Sequence, residues 1–480
     1  MSSQSRNAIA IDLGASSCRV SLLLWQHGSG NIQTVHRFPN GAITVDDRLC
    51  WDIERICAEI VAGLRKCAQL AKQPIDSIGI DGWGVDYVRV GNDGAPVSNP
   101  FCYRDTRAER GQKAFWKVLP PERIYKLTGI QHMALNTLYQ LYQDKCEGLP
   151  AGKFWLNVPE YTLYRLGAKP VAEYTSAANT QMLRAGRLEW CDEIFAAAGF
   201  DGSIAPKIVP PGTVLGPLKG PLSELPAFRN TLLIAPACHD TGSAVAGIPS
   251  EGDDWAFLSS GTWSLLGSVL PKPCTNDLAA QNNFSNEGGL GGRVRFLKNL
   301  NGMWLIQECL REWASMGNGW DIATLVSACE KLPPPKAFLR VDDPSLLLPD
   351  KMLERINSVM QKQGLAGISS DPADAPEAAN LIFHSLAARY AEVLKCLSTV
   401  TGKALRRLYI VGGGSKNEFL NRLIGETTGL EIRRGAAESS TVGNLAIQLT
   451  VMDGATSSEK GVSPEAVAEW SRRLVEVPQT

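Results

Sequence analysis

Three glycine- and serine-rich segments of the chain have the composition of loops that bind phosphate groups. They are Asp12 to Arg19 (DLGASSCR), Ser259 to Ser264 (SSGTWS) and Val411 to Asn417 (VGGGSKN). In such loops backbone N–H groups point at anionic oxygens, glycine permits their close approach, and serine or threonine adds a hydroxyl donor. Each segment alone could also be an ordinary turn. Because all three lie at the ends of predicted strands in one chain, together they predict a phosphate-binding site.

Asp240 is the carboxylate that the sequence places best for a catalytic role. It follows the apolar run TLLIAPAC, and open α/β sheets bind their ligands at the carboxyl ends of such strands. A carboxylate within hydrogen-bond reach of a substrate hydroxyl can accept its proton during phosphoryl transfer. Aspartate is also a favoured N-cap, so a helix beginning near Thr241 offers a structural alternative. We predict that Asp240 is a general base.

Two common nucleotide-binding motifs are missing from the sequence. It contains no G-x-x-x-x-G-K-[ST], and no G-x-G-x-x-G lies between a strand and a helix. The sequence therefore argues against both a P-loop and a Rossmann dinucleotide site. Any nucleotide must be held by loops of another kind.

The elements that position these segments can be predicted from the flanking sequence. AIAIDLG and VSLLLW predict a β-hairpin joined by the polar turn Ala15 to Arg19. Apolar residues recur at helical spacing from Ile53 to Ala71, and Asp52 is placed to cap that helix. SIGIDGWGVDYVRV predicts a further strand. The stretch from Pro206 to Pro226 is rich in proline and glycine, which predicts a long irregular connection.

The later part of the chain repeats this arrangement. AFLSSGTWSLLGSVL again predicts strand, turn and strand, which suggests an ancient duplication. A helix predicted over Ala378 to Val400 and stopped by Gly402 precedes the strand LRRLYIV, and such alternation predicts α/β layers. The 480 residues exceed one ordinary core. We expect two domains, 1–248 and 249–480, with their boundary in the turn-rich segment Ala246 to Trp255.

Charge and cysteine content limit the partners and the compartment. The chain has 48 Lys and Arg against 49 Asp and Glu, so it lacks the field that would hold nucleic acid or an anionic membrane. It contains no run of 18 apolar residues and no signal-peptide pattern at its start, which predicts a cytoplasmic location. Its 12 cysteines include no Cys-x-x-Cys pair, so we expect buried thiols and neither disulfides nor structural zinc.

At these segments the sequence resembles the FGGY family of carbohydrate kinases, over nearly the whole chain. The motifs that carry the resemblance, in family order, are IDLGASSCRV, SIGIDGWGVDY, YRDTR, GIQ…NTLYQL, EYTSA, ACHDT, FLSSGTWSLLG, NEGG, FLKNLNGMWLIQ and IVGGGSKN. Within the family they are most similar to the kinases that phosphorylate the 1-hydroxyl of L-rhamnulose in L-rhamnose catabolism. The resemblance implies an α/β, two-lobed, actin-like sugar kinase ATPase fold, with two RNase H-like domains and the active site in the cleft between them. It also implies ATP as co-substrate, Mg²⁺ as cofactor, and L-rhamnulose 1-phosphate and ADP as products.

The resemblance further implies a role for each matching residue. Asp240 is expected to be the catalytic base, and Asp12 to hold Mg²⁺ through water, since a hard cation prefers carboxylate oxygen. The residues expected to contact ATP are Ala15, Ser16, Ser17, Cys18, Arg19, Thr262, Gln307 and Gly413. The residues expected to contact the sugar are Gly84, His239, Asp240, Thr241 and Asn299. An uncharged sugar needs such directional polar contacts for its recognition.

Two positions depart from the pattern of the kinases that the sequence resembles. Cys18 stands where they usually have glycine, and Gly82 where they usually have threonine. If position 18 required a positive φ, cysteine would strain the loop by about 1 kcal/mol or more. Such strain would weaken nucleotide binding and leave the fold intact.

Other functions stay open at the level of the sequence. The same chemistry could serve another ketose or polyol, such as fuculose, xylulose, ribulose or glycerol, because the motifs do not reveal which stereochemistry is bound. An actin-like or chaperone-like ATPase could use the same fold to drive a partner interaction, although WGVD and Asp240 favour a sugar substrate. A sugar sensor without catalysis is suggested only by Cys18. The oligomeric state cannot be predicted from the sequence.

Overall fold

The computed structural model describes residues 5–317 and 319–476. Up to residue 250 the strands are β1 (Arg6–Leu13), β2 (Ser17–Gln26), β3 (Ser29–Pro39), β4 (Ile43–Val45), β5 (Arg48–Cys50), β6 (Ser77–Gly82), β7 (Tyr87–Val90), β8 (Phe154–Asn157), β9 (Val171–Glu173), β10 (Lys207–Val209), β11 (Thr213–Pro217) and β12 (Leu232–Ala235). The α-helices of this part are α1 (Ile53–Leu70), α2 (Arg107–Phe115), α3 (Pro121–Thr128), α4 (Thr137–Cys146), α5 (Val158–Arg165), α6 (Tyr174–Asn179), α7 (Asp192–Ala198) and α8 (Asp240–Ala246).

The remaining elements continue the alternation of strands and helices. The strands are β13 (Trp255–Ser260), β14 (Trp263–Leu270), β15 (Ser285–Gly288), β16 (Val294–Asn301), β17 (Arg407–Val411), β18 (Glu431–Arg434), β19 (Thr456–Ser457) and β20 (Gly461–Val462). The α-helices are α9 (Asp277–Gln281), α10 (Trp304–Ser315), α11 (Ile322–Cys329), α12 (Met352–Lys362), α13 (Ala375–Thr401), α14 (Glu418–Thr428), α15 (Ser439–Met452) and α16 (Pro464–Val475).

The described chain divides into two compact units. Unit 1 comprises residues 5–250, 269–296 and 438–476, and unit 2 comprises 251–268 and 297–437. The units therefore do not follow the sequence halves, because helix α15, near the carboxyl terminus, packs on α8, β1 and β6 of unit 1. The domain boundary that the sequence predicts at residue 248 stays a prediction.

Unit 1 is built on one twisted mixed sheet with the strand order β11-β12-β6-β1-β2-β3. The hairpin of β1 and β2 is antiparallel, and β6 runs parallel to both β1 and β12. Helix α1 packs against β2 and β3. Its predicted cap is confirmed, since the side chain of Asp52 accepts a hydrogen bond from the backbone N–H of Arg55 at 3.1 Å.

Unit 2 contains strands in the order β16-β14-β13-β17-β18. Here too an antiparallel hairpin, β13 and β14, is followed by parallel strands, with β17 parallel to both β13 and β18. The strand order thus repeats that of β3-β2-β1-β6-β12 in unit 1, as the similar openings of the two parts predicted. The long helix α13 ends as predicted at Gly402, whose φ of 70° suits glycine at a helix C-terminus.

Three local predictions were wrong in part. The first hairpin turns at residues 14–16, because Leu13 already pairs with Cys18, so the expected loop to Arg19 is largely strand. The predicted strand SIGIDGWGVDYVRV breaks into β6 and β7, with Val85 at a φ of 70° between them. The stretch from Pro206 to Pro226 is not irregular throughout, because β11 pairs with β12 at the edge of the sheet and bulges near Gly216.

Most of the cysteines are buried, as the sequence predicted. All 12 cysteines are free, and nine of them are buried. Across residues 5–317 and 319–476, no helix has both the length and the apolar character that a membrane span requires.

Candidate active site

Three carboxylates lie near or beyond the carboxyl ends of strands in the unit 1 sheet. Asp12 on β1 and Asp81 on β6 are paired in register. Asp240 is the first residue of α8, and the segment before it lies at the end of β6, because the backbone N–H of Gly82 donates to the carbonyl of Cys238 at 2.9 Å. Open α/β sheets bind ligands at the carboxyl ends of their strands. The fold therefore brings predicted site residues together at such a position.

Asp12 is buried and is held by residues that sequence analysis did not identify. Its carboxylate accepts a hydrogen bond from the hydroxyl of Ser440 at 2.5 Å and lies 3.5 Å from Nε of Arg19. Arg19 in turn forms an ion pair with Glu438. Ser440 and Glu438 lie at the start of α15, more than 400 residues along the chain from Asp12, so no local pattern could have indicated them.

Asp81 is a fully buried carboxyl beside Asp12. Its burial, reinforced by the charge of Asp12, raises its pKa well above the usual value. The side-chain amide of Asn444 donates to one oxygen at 2.5 Å, whereas the other oxygen has no hydrogen-bond partner among the described residues. Two carboxyls so close together, one incompletely bonded, form an environment that a cation would stabilise.

The two departures from the expected motif pattern have structural explanations. Cys18 is not among the residues with a positive φ, so the strain considered for this position does not arise. Its side chain is buried in the core, and burial raises the pKa of the thiol to about 12. A Cβ at Gly82 would lie 2.8 Å from the Cβ of Leu13, and the backbone here accommodates glycine better than threonine.

The carboxylate of Asp240 is desolvated and still accessible to a substrate. Burial raises its pKa, the neighbouring His239 opposes that rise, and the charge of Asp12 adds to it. The side chain nevertheless remains 33% exposed. Its Oδ1 accepts hydrogen bonds from the backbone N–H of Thr241 at 2.6 Å and from its hydroxyl at 3.3 Å. The N-cap position of α8 belongs to His239, so Asp240 is not the N-cap residue that the alternative supposed.

His239 connects Asp240 with a group of buried polar side chains. Its Nε2 lies 3.4 Å from Oδ1 of Asp240. On the other side of the ring, Nδ1 lies 2.8 Å from Nδ2 of Asn179 and 3.2 Å from Nη2 of Arg295. A Cβ at Gly84 would come within 2.8 Å of Asn179 and 3.3 Å of His239. Asn179 and His239 therefore pack directly against the backbone of Gly84, and a larger residue there would displace them.

Glu173 fixes the backbone immediately before Asp240. Its carboxylate accepts from the backbone N–H of Cys238 at 2.8 Å and from the hydroxyl of Thr175, whose oxygen accepts from the N–H of His239 at 3.0 Å. The motif EYTSA contains Glu173 and Thr175, but sequence analysis assigned neither a role. Burial raises the pKa of the Cys238 thiol well above its usual value, so this cysteine is neither a ready nucleophile nor a redox-active thiolate.

A second buried carboxyl lies beside Glu173. Oε1 of Glu160 accepts from the backbone N–H of Glu173 at 3.1 Å. Burial raises the pKa of Glu160 to about 8, with a further contribution from the charge of Glu173, and burial raises the pKa of Glu173 to about 7. The pair and the Cys238 thiol have ligand-type atoms within 4.8 Å of one another. We interpret the cluster as a group of hydrogen-bonded side chains that holds the backbone before Asp240 in place.

Unit 2 contains the remaining predicted contacts. Thr262 lies in the turn between β13 and β14, and its hydroxyl is 3.5 Å from Oε1 of Gln307 on α10. Asn299 is half-buried on β16. Gly413 begins the 3₁₀ turn that follows β17, and a Cβ built there would meet nothing within 4 Å. The open face at Gly413 leaves room for a ligand to approach the backbone.

The predicted site residues thus form two groups, one within each unit. Unit 1 contains Asp12, Ala15, Ser16, Ser17, Cys18, Arg19, Gly84, His239, Asp240 and Thr241. Unit 2 contains Thr262, Asn299, Gln307 and Gly413. Ser16 is exposed at the tip of the first hairpin, whereas Cys18 can offer a ligand only its backbone because its side chain is buried.

Comparison with known families and proteins gives matches over most of the chain. Residues 7–247 match the N-terminal domain and residues 256–452 the C-terminal domain of the FGGY family of carbohydrate kinases. A protein named rhamnulokinase from Enterococcus faecalis is 37% identical over 452 residues, which is 93% of this chain and 89% of that protein. Another protein of that name, from Oceanobacillus iheyensis, is 36% identical over 449 residues, 93% of each chain.

Solved structures of sugar kinases resemble the fold. A gluconate kinase from Lactobacillus acidophilus matches with a TM-score of 0.77 at 16% identity, covering 98% of this chain and 96% of that one. A ligand-bound xylulose kinase from the same organism matches with a TM-score of 0.76, also at 16% identity and with the same coverage. At this identity the likeness shows the fold alone. The expected two-domain α/β actin-like kinase fold is therefore confirmed.

Proposed function

Since the chain belongs to the FGGY family of carbohydrate kinases, we propose that it transfers the γ-phosphoryl group of ATP to the 1-hydroxyl of L-rhamnulose. It is a phosphotransferase with an alcohol group as acceptor. The sugar is inferred from the two relatives named rhamnulokinase. The structural observation that carries the reaction is the Asp240 carboxylate, desolvated and yet open to a substrate at the ligand-binding edge of the sheet.

Asp240 is the proposed general base. As the 1-hydroxyl attacks the γ-phosphorus, its proton passes to an oxygen of Asp240, the new O–P bond forms, and the bond to the ADP oxygen breaks. Desolvation raises the pKa of Asp240, which makes the carboxylate a stronger base than an exposed aspartate. The hydrogen bonds from Thr241 orient the carboxylate and oppose part of the rise in its pKa.

Mg²⁺ is the proposed cofactor, and the residues of unit 1 fit it. Asp12 and Asp81 provide hard oxygen ligands, and one Asp81 oxygen lacks a hydrogen-bond partner among the described residues. We assign Asp12 as the residue that holds the ion, through water. The bound ion would neutralise charge on the phosphates of ATP. Arg19 would also contribute positive charge near Asp12, where it lies 3.5 Å away.

ATP and the sugar would engage the two groups of predicted residues. For ATP we propose Ala15, Ser16, Ser17, Cys18 and Arg19 in unit 1, with Thr262, Gln307 and Gly413 in unit 2. For the sugar we propose Gly84, His239, Asp240, Thr241 and Asn299. The position of Gly84 directly against His239, the neighbour of Asp240, supports the sugar assignment, and the open face of Gly413 supports the nucleotide assignment. We propose no nucleic-acid or membrane partner, and a cytoplasmic location stays a prediction from the sequence.

Identifying the product tests the proposed function. The protein is incubated with magnesium-ATP and L-rhamnulose, and ³¹P and ¹³C NMR spectra establish which carbon carries the new phosphate. We expect L-rhamnulose 1-phosphate and ADP in equal amounts. Phosphate on another carbon, or consumption of ATP without sugar phosphate, would contradict the proposal.

A further inference from the structure

The ring nitrogen Nδ1 of His239 faces hydrogen-bond donors. Nη2 of Arg295 lies 3.2 Å from it and Nδ2 of Asn179 lies 2.8 Å from it. The amide of asparagine can be turned to present oxygen in place of nitrogen, but a guanidinium group has only N–H donors and no acceptor. Nδ1 must therefore offer its lone pair to Arg295.

The position of Arg295 is fixed independently of His239. The side chain is 1% exposed, and its Nε donates to the carbonyl oxygen of Gly288 at 2.7 Å. Its Nη2 also lies 3.2 Å from a carboxylate oxygen of Glu287, which compensates the buried positive charge. That oxygen also lies 3.5 Å from Nδ1 of His239, farther from the ring than either donor, and its charge is paired with that of Arg295.

The occupied Nδ1 determines the role of the other ring nitrogen. A neutral imidazole carries one proton, so a ring that accepts at Nδ1 carries its N–H at Nε2. Nε2 lies 3.4 Å from Oδ1 of Asp240. A hydrogen-bond donor and the proposed base therefore lie side by side, and the side chain of Asp240 is open to a substrate.

We infer that Asn179 and Arg295, with Glu287 balancing the charge, hold His239 as the neutral tautomer protonated at Nε2, so that it donates a hydrogen bond to a sugar oxygen beside the reacting hydroxyl. Asn179, Glu287 and Arg295 are then positioning residues that act through His239. The identity of the acceptor as a sugar oxygen rests on the proposed function, whereas the tautomer depends only on the geometry of unit 1.

The direct test is the tautomer of His239 in the wild-type protein without ligands. The chain has only five histidines, so ¹⁵N-histidine labelling and comparison with His239→Gln assign the ring of interest. We expect the ¹⁵N spectrum to show an unprotonated Nδ1 and a protonated Nε2. A ring protonated at Nδ1, or at both nitrogens, at neutral pH would overturn the inference, even in an active kinase.

A kinetic test uses Asn179→Asp, which keeps the side-chain shape and replaces the donor with an acceptor. The carboxylate should draw the ring proton to Nδ1 and remove the donor at Nε2. Losing one hydrogen bond to the sugar should raise the KM for the sugar about tenfold, with the KM for ATP changed less than about twofold. The exposed Asn230→Asp in the same unit adds the same charge and should match the wild type.

The two tests separate the inference from the proposed function. Equal changes of both KM values in Asn179→Asp, or an unchanged sugar KM in a folded variant, would overturn the positioning role. If Asn179→Asp does not fold, the wild-type spectrum decides the tautomer by itself. If the wild type phosphorylates no sugar, the proposed function fails, and the spectrum still confirms or contradicts the tautomer.

Discussion

Asp240 illustrates at the scale of one residue how a carboxylate can be both desolvated and accessible. Its pKa is raised because the surrounding protein displaces water, and the hydrogen bonds from Thr241 limit that rise. Carrying an ionised carboxylate in this environment costs free energy of folding. The environment that makes Asp240 more basic therefore lowers the stability of the folded protein, as is common at functional sites.

Replacing Asp240 with asparagine should separate activity from stability. Asp240→Asn removes the proton acceptor and should lower kcat by about 10²- to 10⁴-fold, while it removes a desolvated charge and should leave Tm unchanged or raised. Steady-state ADP release and thermal unfolding measure the two effects. An Asp240→Asn variant with wild-type turnover would eliminate the general-base assignment.

The buried pair of Glu160 and Glu173 should make stability depend on pH. Both carboxyls have raised pKa values, about 8 and about 7, against about 4.3 for glutamate in an unfolded chain. Between these pKa values the folded state therefore binds more protons than the unfolded state. The stabilisation from the two carboxyls is complete below the pKa of the unfolded chain and is lost as pH rises through the pKa values of the folded state. Stability should fall from about pH 5 to pH 8.

Glu160→Gln removes one of these titrating groups and preserves its acceptor oxygen for the backbone of Glu173. The Tm of Glu160→Gln relative to the wild type should increase steadily as pH rises across that range. Glu224→Gln, at an exposed position, serves as the control and should not change the pH dependence. A constant difference in Tm between Glu160→Gln and the wild type at all pH values would contradict this account.

At the scale of elements, two helices meet closely enough to require glycine. A Cβ at Gly443 on α15 would lie 1.8 Å from the carbonyl oxygen of Ser243 on α8. Helix α8 begins with Asp240, and α15 begins beside Ser440, the hydrogen-bond partner of Asp12. The contact between α8 and α15 therefore links the position of Asp240 with that of Ser440, the hydrogen-bond partner of Asp12.

Gly443→Ala should consequently reduce stability and activity together. The overpacked contact should cost about 1–3 kcal/mol, measured by thermal unfolding, and kcat should fall because Asp240 shifts with α8 and Ser440, the hydrogen-bond partner of Asp12, shifts with α15. Gly425→Ala on α14 is the matched control, since its Cβ would meet only side-chain atoms of Ile432, the nearest at 3.2 Å. Full activity with unchanged Tm in Gly443→Ala would show that the two helices need no such proximity.

The glycines after β17 offer a second contrast between neighbouring positions. Gly412 has a φ of 82°, and a Cβ there would lie 2.8 Å from the carbonyl oxygen of Ser260, whereas a Cβ at Gly413 would meet no atom within 4 Å. Gly412→Ala should destabilise the protein by about 1–2 kcal/mol, measured as a lower Tm. Gly413→Ala should leave Tm unchanged and raise the KM for ATP, and an unchanged KM would contradict the nucleotide assignment at Gly413.

Local patterns predicted elements better than they predicted partners. Helix α1 was predictable because its apolar spacing and the Asp52 cap lie within one segment. Strand β11 was not, since its place at the edge of the sheet depends on pairing with β12 despite the prolines around it. Similarly, the contacts of His239 with Asn179 and Arg295 join residues 60 and 56 positions away, and no spacing rule reveals such contacts.

At the scale of the whole molecule, the two six-stranded sheets share the order of five strands, and the carboxyl-terminal segment packs in unit 1. The sequence predicted two similar parts from their similar hairpins, and the resemblance of the motifs predicted the family that the comparisons confirm. It did not predict the position of α15, because a helix with apolar residues around most of its surface indicates burial but not its neighbour. The residues that hold Asp12 were missed for this reason.

We propose above all that phosphoryl transfer from ATP in this protein requires a sugar acceptor and that L-rhamnulose is the preferred one. The most direct test measures ADP release with magnesium-ATP and L-rhamnulose, L-fuculose, D-xylulose, L-ribulose, glycerol or no sugar. We predict negligible release without sugar and the highest kcat/KM with L-rhamnulose. Preference for another sugar would contradict the substrate, and release that is equal with and without sugar would contradict the kinase function itself.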